Sequence, residues 1–206
     1  MDIINDTIAD RLLLDHPFYK RWEEGSLDFA ELAPYAEQYR HFEAQLPDFL
    51  QTLAERLPEG VAKASVLDNL RDELASPVTH LELFAGFAEA VGATTAQPSA
   101  AMAELVALYR DSANSAETSF ALGVLAGYEV QAAAIADSKG AGLKRHYGLD
   151  GEAIAFWQLH AKLEEDHAAW TLEASQEADQ TAFLAGARAS AEAWWAFLDE
   201  RELLAA

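Results

Sequence analysis

The chain of 206 residues contains no cysteine. That removes disulfides, zinc fingers, thiolate iron–sulfur ligation and any thiol nucleophile. Positive charge is scarce as well, with 14 Lys and Arg against 35 Asp and Glu and a formal net charge of −21. Binding to phosphate backbones and anionic headgroups is driven largely by basic residues, so neither nucleic acid nor a membrane surface is an expected partner. The start, Met1 to Asp6, shows no basic stretch followed by an apolar one. No window approaches the ~18 uninterrupted apolar residues of a membrane span, and the expectation is a soluble, cytoplasmic protein.

What is present is apolar and helical. A hydrophobic share of 51% with 24% charged residues is ample for a packed core. Apolar residues recur at helical spacing nearly everywhere, and alternating strand patterns are hard to find. Leu12, Leu13 and Leu14 are expected to close a short first helix, with Asp15 as N-cap of the next, ahead of His16-Pro17. A long helix is expected from Asp28 to about Leu57, kinked at Pro47. Another covers about Val61 to Ala75 and breaks at Pro77, and a further one runs through Leu81, Phe84, Phe87 and Val91 to Gly92. Helices at about 99–111, 115–138, 151–173 and 177–204 follow, with Gly140, Gly142 and Gly148 around a basic turn of Lys144, Arg145 and His146. Ala93 to Pro98 is too short to divide the chain, so one domain spanning 1–206 is expected. The pattern predicts an all-α bundle of about seven to eight helices.

Histidines and carboxylates give the first chemical signal. His160, Glu164 and His167 stand at i, i+4 and i+7, placing them at roughly 0°, 40° and −20° on one helix stripe. Glu73 and His80 are seven apart and share a face if the helix continues past Pro77. Glu129 lies in the most apolar segment of the chain, where a lone carboxylate needs a partner. Three Glu and three His supply mixed oxygen and imidazole donors, a set that suits iron or manganese more than calcium, magnesium or structural zinc. The bland alternative is a solvated acidic surface. A ferritin-like site would need two Glu-x-x-His motifs, and Glu164-Glu165-Asp166-His167 is the only one. His16, His41 and His146 are read as packing or surface histidines.

The series Glu73-x6-His80, Glu129 and His160-x3-Glu164-x2-His167 resembles the ligand pattern of the haem-oxygenase-like dimetal oxidases. Within that superfamily the chain looks most like the subgroup of the Chlamydia protein associating with death domains, self-sacrificing 4-aminobenzoate synthases. The segments carrying this match are His16-Pro17-Phe18-Tyr19-Lys20-Arg21-Trp22, Tyr35-Ala36-Glu37-Gln38-Tyr39, Asp68-Asn69-Leu70-Arg71-Asp72-Glu73 and Tyr128-Glu129-Val130-Gln131. The resemblance implies a haem-oxygenase-like fold and two metal ions, Fe alone or Fe with Mn, held by Glu73, His80, Glu129, His160, Glu164 and His167. It also implies dioxygen as co-substrate and an external reductant. Tyr19 falls at the ring-donor position, Tyr35 at a second tyrosine and Lys139 at the amino donor. The subgroup carries aspartate where this chain has Glu164, one methylene longer. Taken alone, Tyr19 and Tyr35 read as core aromatics and Lys139 as a cation near a helix end.

The resemblance therefore implies a small-molecule product, 4-aminobenzoate, made from the protein itself, and leaves a homodimer open. The rivals are a multi-turnover dimetal oxidase of an external amine, amino acid or fatty acid, and a non-enzymatic helical interaction protein. A thiaminase-like relative is disfavoured by the missing cysteine nucleophile.

Overall fold

A computed structural model describes the backbone of residues 2–75 and 77–205, and the side chains of 3–75, 77–162 and 175–204. Among the described residues there are ten α-helices, two short 3₁₀ turns and no strand. In chain order the helices are α1 (Asp2–Ile8), α2 (Pro17–Glu24), α3 (Phe29–Glu43), α4 (Leu46–Arg56), α5 (Val61–Glu73), α6 (His80–Ala90), α7 (Ala100–Asn114), α8 (Thr118–Tyr147), α9 (Glu152–Ser175) and α10 (Gln180–Ala205).

Local chemistry explains where these helices begin and end, and it departs from the sequence expectations in several places. Leu12 to Leu14 do not close the first helix, which ends at Ile8; 3₁₀ turns at 9–11 and 13–15 follow it. His16, not Asp15, caps α2: its Nδ1 accepts the Phe18 N–H at 3.1 Å, with Pro17 in the first turn where its missing N–H costs nothing. The helix expected from Asp28 to Leu57 is two helices, separated at Ala44 and Gln45. Pro47 starts the second in its first turn and does not kink a continuous rod. The extra breaks raise the count above the expected seven to eight.

The α5 helix ends at Glu73, so no helix carries Glu73 round to His80. Thr79 caps α6 by accepting from the Glu82 N–H, while Glu82 Oε2 accepts from the Thr79 N–H at 2.8 Å. The α8 helix runs on to Tyr147 and absorbs Gly140, Gly142 and the basic residues 144–146 into its last turns, with Gly148 as left-handed cap at φ 66°. His146 thus sits on a helix, its Nε2 donating to the Glu23 carbonyl at 3.0 Å.

The helices enclose one cluster of buried apolar side chains. The α8 helix forms its axis, packed along both α9 and α10. By length and composition α8 could cross a membrane, yet 61% of its most apolar window is buried inside the protein. Its apolarity belongs to the core. The contact with α10 is close because glycines face each other: a Cβ on Gly123 would collide with the Phe183 carbonyl oxygen, and one on Gly186 with that of Phe120.

Candidate metal centre

Four helices deliver side chains to one buried place. Glu43 closes α3, Glu73 closes α5, His80 opens α6 and His160 comes from the middle of α9. One ligand atom from each of these four lies within 4.8 Å of the others. Glu73 Oε1 is 3.0 Å from His80 Nδ1 across the α5–α6 break, so the pairing expected from one continuous helix is produced by two helix ends instead. The His80 and His160 rings have centroids 4.5 Å apart. His160 Nδ1 lies 2.9 Å from the Phe156 carbonyl. A carbonyl only accepts, so the proton is on Nδ1 and the lone pair is on Nε2, the tautomer a metal ligand needs.

Glu129 stands beside this group from α8, in a cavity of about 10 Å³ whose lining includes Glu43, Glu73, Glu129 and His160. The Asn69 amide donates to Glu129 Oε1 at 2.9 Å and fixes the orientation of that carboxylate. Of the six metal-ligand candidates, the structure therefore gathers Glu73, His80, Glu129 and His160. The side chains of Glu164 and His167 lie outside the described residues.

Glu43 was missed by sequence reasoning. It is 2% exposed, and its Oε1 is buried with no hydrogen-bond partner. Burial is the main force pushing its carboxyl well above the usual range, with the neighbouring Glu73 adding to the effect. The signal was available: Glu43 sits at i+4 and i+8 from Tyr39 and Tyr35, on an apolar stripe, as Glu129 does on α8. Buried carboxylates this close together demand a proton or a cation between them. Oxygen donors mixed with imidazole, an orphaned carboxylate oxygen and four converging ligand atoms fit a first-row transition metal such as iron or manganese.

A second cluster of buried polar side chains packs beside the first. Lys139, from α8, is 1% exposed and has its Nζ 2.5 Å from the Tyr35 hydroxyl. The Tyr35 and Tyr19 hydroxyls are hydrogen bonded at 2.9 Å. Lys139 Nζ also lies 4.5 Å from the Tyr19 ring centroid and 4.4 Å from that of Trp157. Burial lowers the Lys139 pKa well below the ordinary lysine value, opposed only by attraction from Glu43. The amine is therefore held toward its neutral, nucleophilic form. Burial likewise raises the Tyr19 and Tyr35 hydroxyls, so both stay protonated. The three residues proposed for chemistry thus form one hydrogen-bonded group. Tyr39, which also lines the cavity beside Glu129, lies 4.9 Å from Lys139 Nζ by its ring centroid and bonds the Tyr128 hydroxyl at 2.8 Å.

Comparison with known proteins adds an independent line. The chain is 32% identical over 216 residues to a 4-aminobenzoate synthase of Nitrosomonas europaea, covering 95% of this chain and 88% of that one. It is 28% identical over 207 residues to a 4-aminobenzoate synthase of Chlamydia pneumoniae, covering 96% and 92%. Among solved structures, a domain with a heme oxygenase-like fold from Shewanella denitrificans superposes with a TM-score of 0.80 at 16% identity, covering 98% of this chain and 90% of that one. The family described as iron-containing redox enzymes matches residues 33–195, the stretch that holds the whole carboxylate–histidine cluster and Lys139. With that match spanning residues 33–195 of the helical bundle, the chain belongs to that family of iron-containing redox enzymes.

Proposed function

We propose that the protein is a dimetal oxygenase that makes 4-aminobenzoate from its own Tyr19, with Lys139 as nitrogen donor. The observation that carries this reading is the buried Lys139–Tyr35–Tyr19 group, where the amine lies 4.5 Å from the ring centroid of the proposed ring donor. The relatives that span nearly the whole chain are named for the same product.

Two metal ions, Fe with Fe or Fe with Mn, would be held by Glu73, His80, Glu129 and His160 together with Glu164 and His167, and would supply the reduction of dioxygen and the oxidising power, with electrons from an external reductant. The chain's own residues do the rest. Losing an electron from a buried phenol requires losing its proton, and Lys139 Nζ, which donates to the Tyr35 hydroxyl at 2.5 Å, is the neighbouring group whose neutral form has a lone pair to take it. The packed rings of Phe18, Trp22 and Tyr39 around Tyr35 exclude water and hold the phenols in place. The proximity of Lys139 to the Tyr19 ring favours amination there over reaction with solvent: the new ring C–N bond would replace the phenolic C–O bond, the Lys139 Cε–Nζ and Tyr19 Cα–Cβ bonds would break, and dioxygen with the external reductant would supply the oxidation of Cβ to the carboxylate.

The cavity of about 10 Å³ beside Glu43, Glu73, Glu129 and His160 has room for roughly one water-sized molecule. The acidic surface supports a protein that acts without nucleic acid or membrane.

The test is to load the full chain with iron and manganese, add reductant and oxygen, and measure 4-aminobenzoate and the mass of the Tyr19 peptide by mass spectrometry. No more than one product per chain is expected, with a matching mass loss at Tyr19. Tyr19→Phe should abolish product, and a variant making as much as the parent overturns the self-sacrifice reading.

A further inference from the structure

Glu43 stands outside the ligand series read from the sequence, and three observations make it more than a neighbour. Its donor atom belongs to the group of four, with Glu73, His80 and His160, that lies within 4.8 Å. Its Oε1 is fully buried and has no hydrogen-bond partner, while the nearby buried amine of Lys139 gives its hydrogen bond to Tyr35. It also occupies the last residue of α3. Helix C-termini carry partial negative charge, so a carboxylate there is opposed by the dipole as well as by desolvation. Any substitution by leucine or glutamine would relieve both costs. A buried carboxyl group in this position needs a proton shared with Glu73 or a cation, and the two imidazoles that converge on the same place favour the cation.

We propose that Glu43 is a metal ligand which, with Glu73, His80 and His160, completes one ion position, leaving Glu129 to the second. The inference rests on the two-metal reading and deepens it. The two positions are then unequal. One is a set of two carboxylates and two imidazoles contributed by α3, α5, α6 and α9, and the other is built around Glu129 as oriented by Asn69. Four carboxylates, counting Glu43, Glu73, Glu129 and Glu164, balance two divalent cations fully, where three would leave an excess positive charge.

The experiment is a titration of the metal-free full chain with Mn²⁺ under nitrogen, followed by calorimetry and by the electron paramagnetic resonance of bound manganese. The parent should bind two equivalents. Outer-sphere changes at metal sites already cost about 10–100-fold in affinity, so Glu43→Gln, which keeps the shape and removes the charge, should weaken one equivalent by at least about 100-fold. The other equivalent should stay near its parent affinity and give the signal of isolated manganese. Helical circular dichroism checks the fold, and should Glu43→Gln fail to fold, Glu43→Asp is titrated in its place, with weakening again expected at one equivalent alone. If the folded variant binds both equivalents within about twofold of the parent, or loses both equally, Glu43 is not a ligand of one position and the inference is overturned while the two-metal reading stands. A parent that binds no manganese and no ferrous iron overturns the two-metal reading itself.

Discussion

A lysine that is 1% exposed, ringed by Tyr19, Tyr35, Tyr39 and Trp157, has its amine pushed toward the neutral form because burial removes the water that would stabilise the charge. The ring faces return about 0.5–2 kcal/mol to the charged form, less than desolvation takes. Between the lowered folded-state pKa of Lys139 and the ordinary value of 10.5, the unfolded chain holds a proton that the folded chain does not. Stability therefore rises with pH across that window, by about 1.4 kcal/mol per unit. Lys139→Met should remove this slope, so that the variant is more stable than the parent and its advantage shrinks as pH climbs toward 10.5. Urea unfolding of both proteins at a series of pH values checks it; parallel curves would mean that Lys139 is charged in the folded state. The roles of single residues were unevenly legible. Glu73, Glu129 and the histidines announced themselves by spacing and by an isolated carboxylate in an apolar run. Glu43 did not, because it follows a stripe of aromatic residues and has no histidine at helical spacing to pair with.

At the scale of elements, helical periodicity sufficed to find nearly every helix, since each buries an apolar stripe. The breaks were harder to read. One long helix, only kinked by Pro47, was expected where Ala44 and Gln45 divide α3 from α4; Pro47 has no N–H to bond the Glu43 carbonyl and sits in the first turn of α4, so it ends one helix and opens the next. The opposite error extended the basic residues 144–146 into a loop, when α8 continues through Gly140 and Gly142. Gly142 is there for space: a Cβ would come within 2.8 Å of the Trp22 ring, whose N–H donates to the Lys139 carbonyl at 3.2 Å. The same logic governs the α8–α10 seam. Alanine at an ordinary helix position gains up to about 1 kcal/mol over glycine. At Gly123 its Cβ would meet the Phe183 carbonyl, and overpacking of this kind costs about 1–3 kcal/mol. Gly123→Ala should thus lower the melting temperature, whereas Gly140→Ala, with its nearest contact an ordinary 3.4 Å to Trp157, should be neutral or stabilising. Equal thermal scans for the two variants would contradict the packing argument.

For the whole molecule, buried carboxylates weaken the metal-free fold, and ion binding should strengthen it. A ligand that binds only the folded state contributes about 2.7 kcal/mol when present at 100 times its dissociation constant. For a chain of this size each kcal/mol moves the melting temperature by about 2–4 °C, so each bound ion should add about 5–10 °C, reversed by chelator. A melting temperature indifferent to Fe²⁺, Mn²⁺ and chelator would count against the centre. Between the two side-chain clusters the molecule keeps a fixed span, because Glu129 and Lys139 sit ten residues apart on the single unbroken helix α8. That is about 15 Å of axial rise. Inserting or deleting one residue in the segment 130–138 would turn Lys139 by about 100° relative to Glu129, so the two could not both keep their partners on the other helices. The helix works as a keyed shaft, and this stretch should accept exchange of one side chain for another while refusing any change in its length.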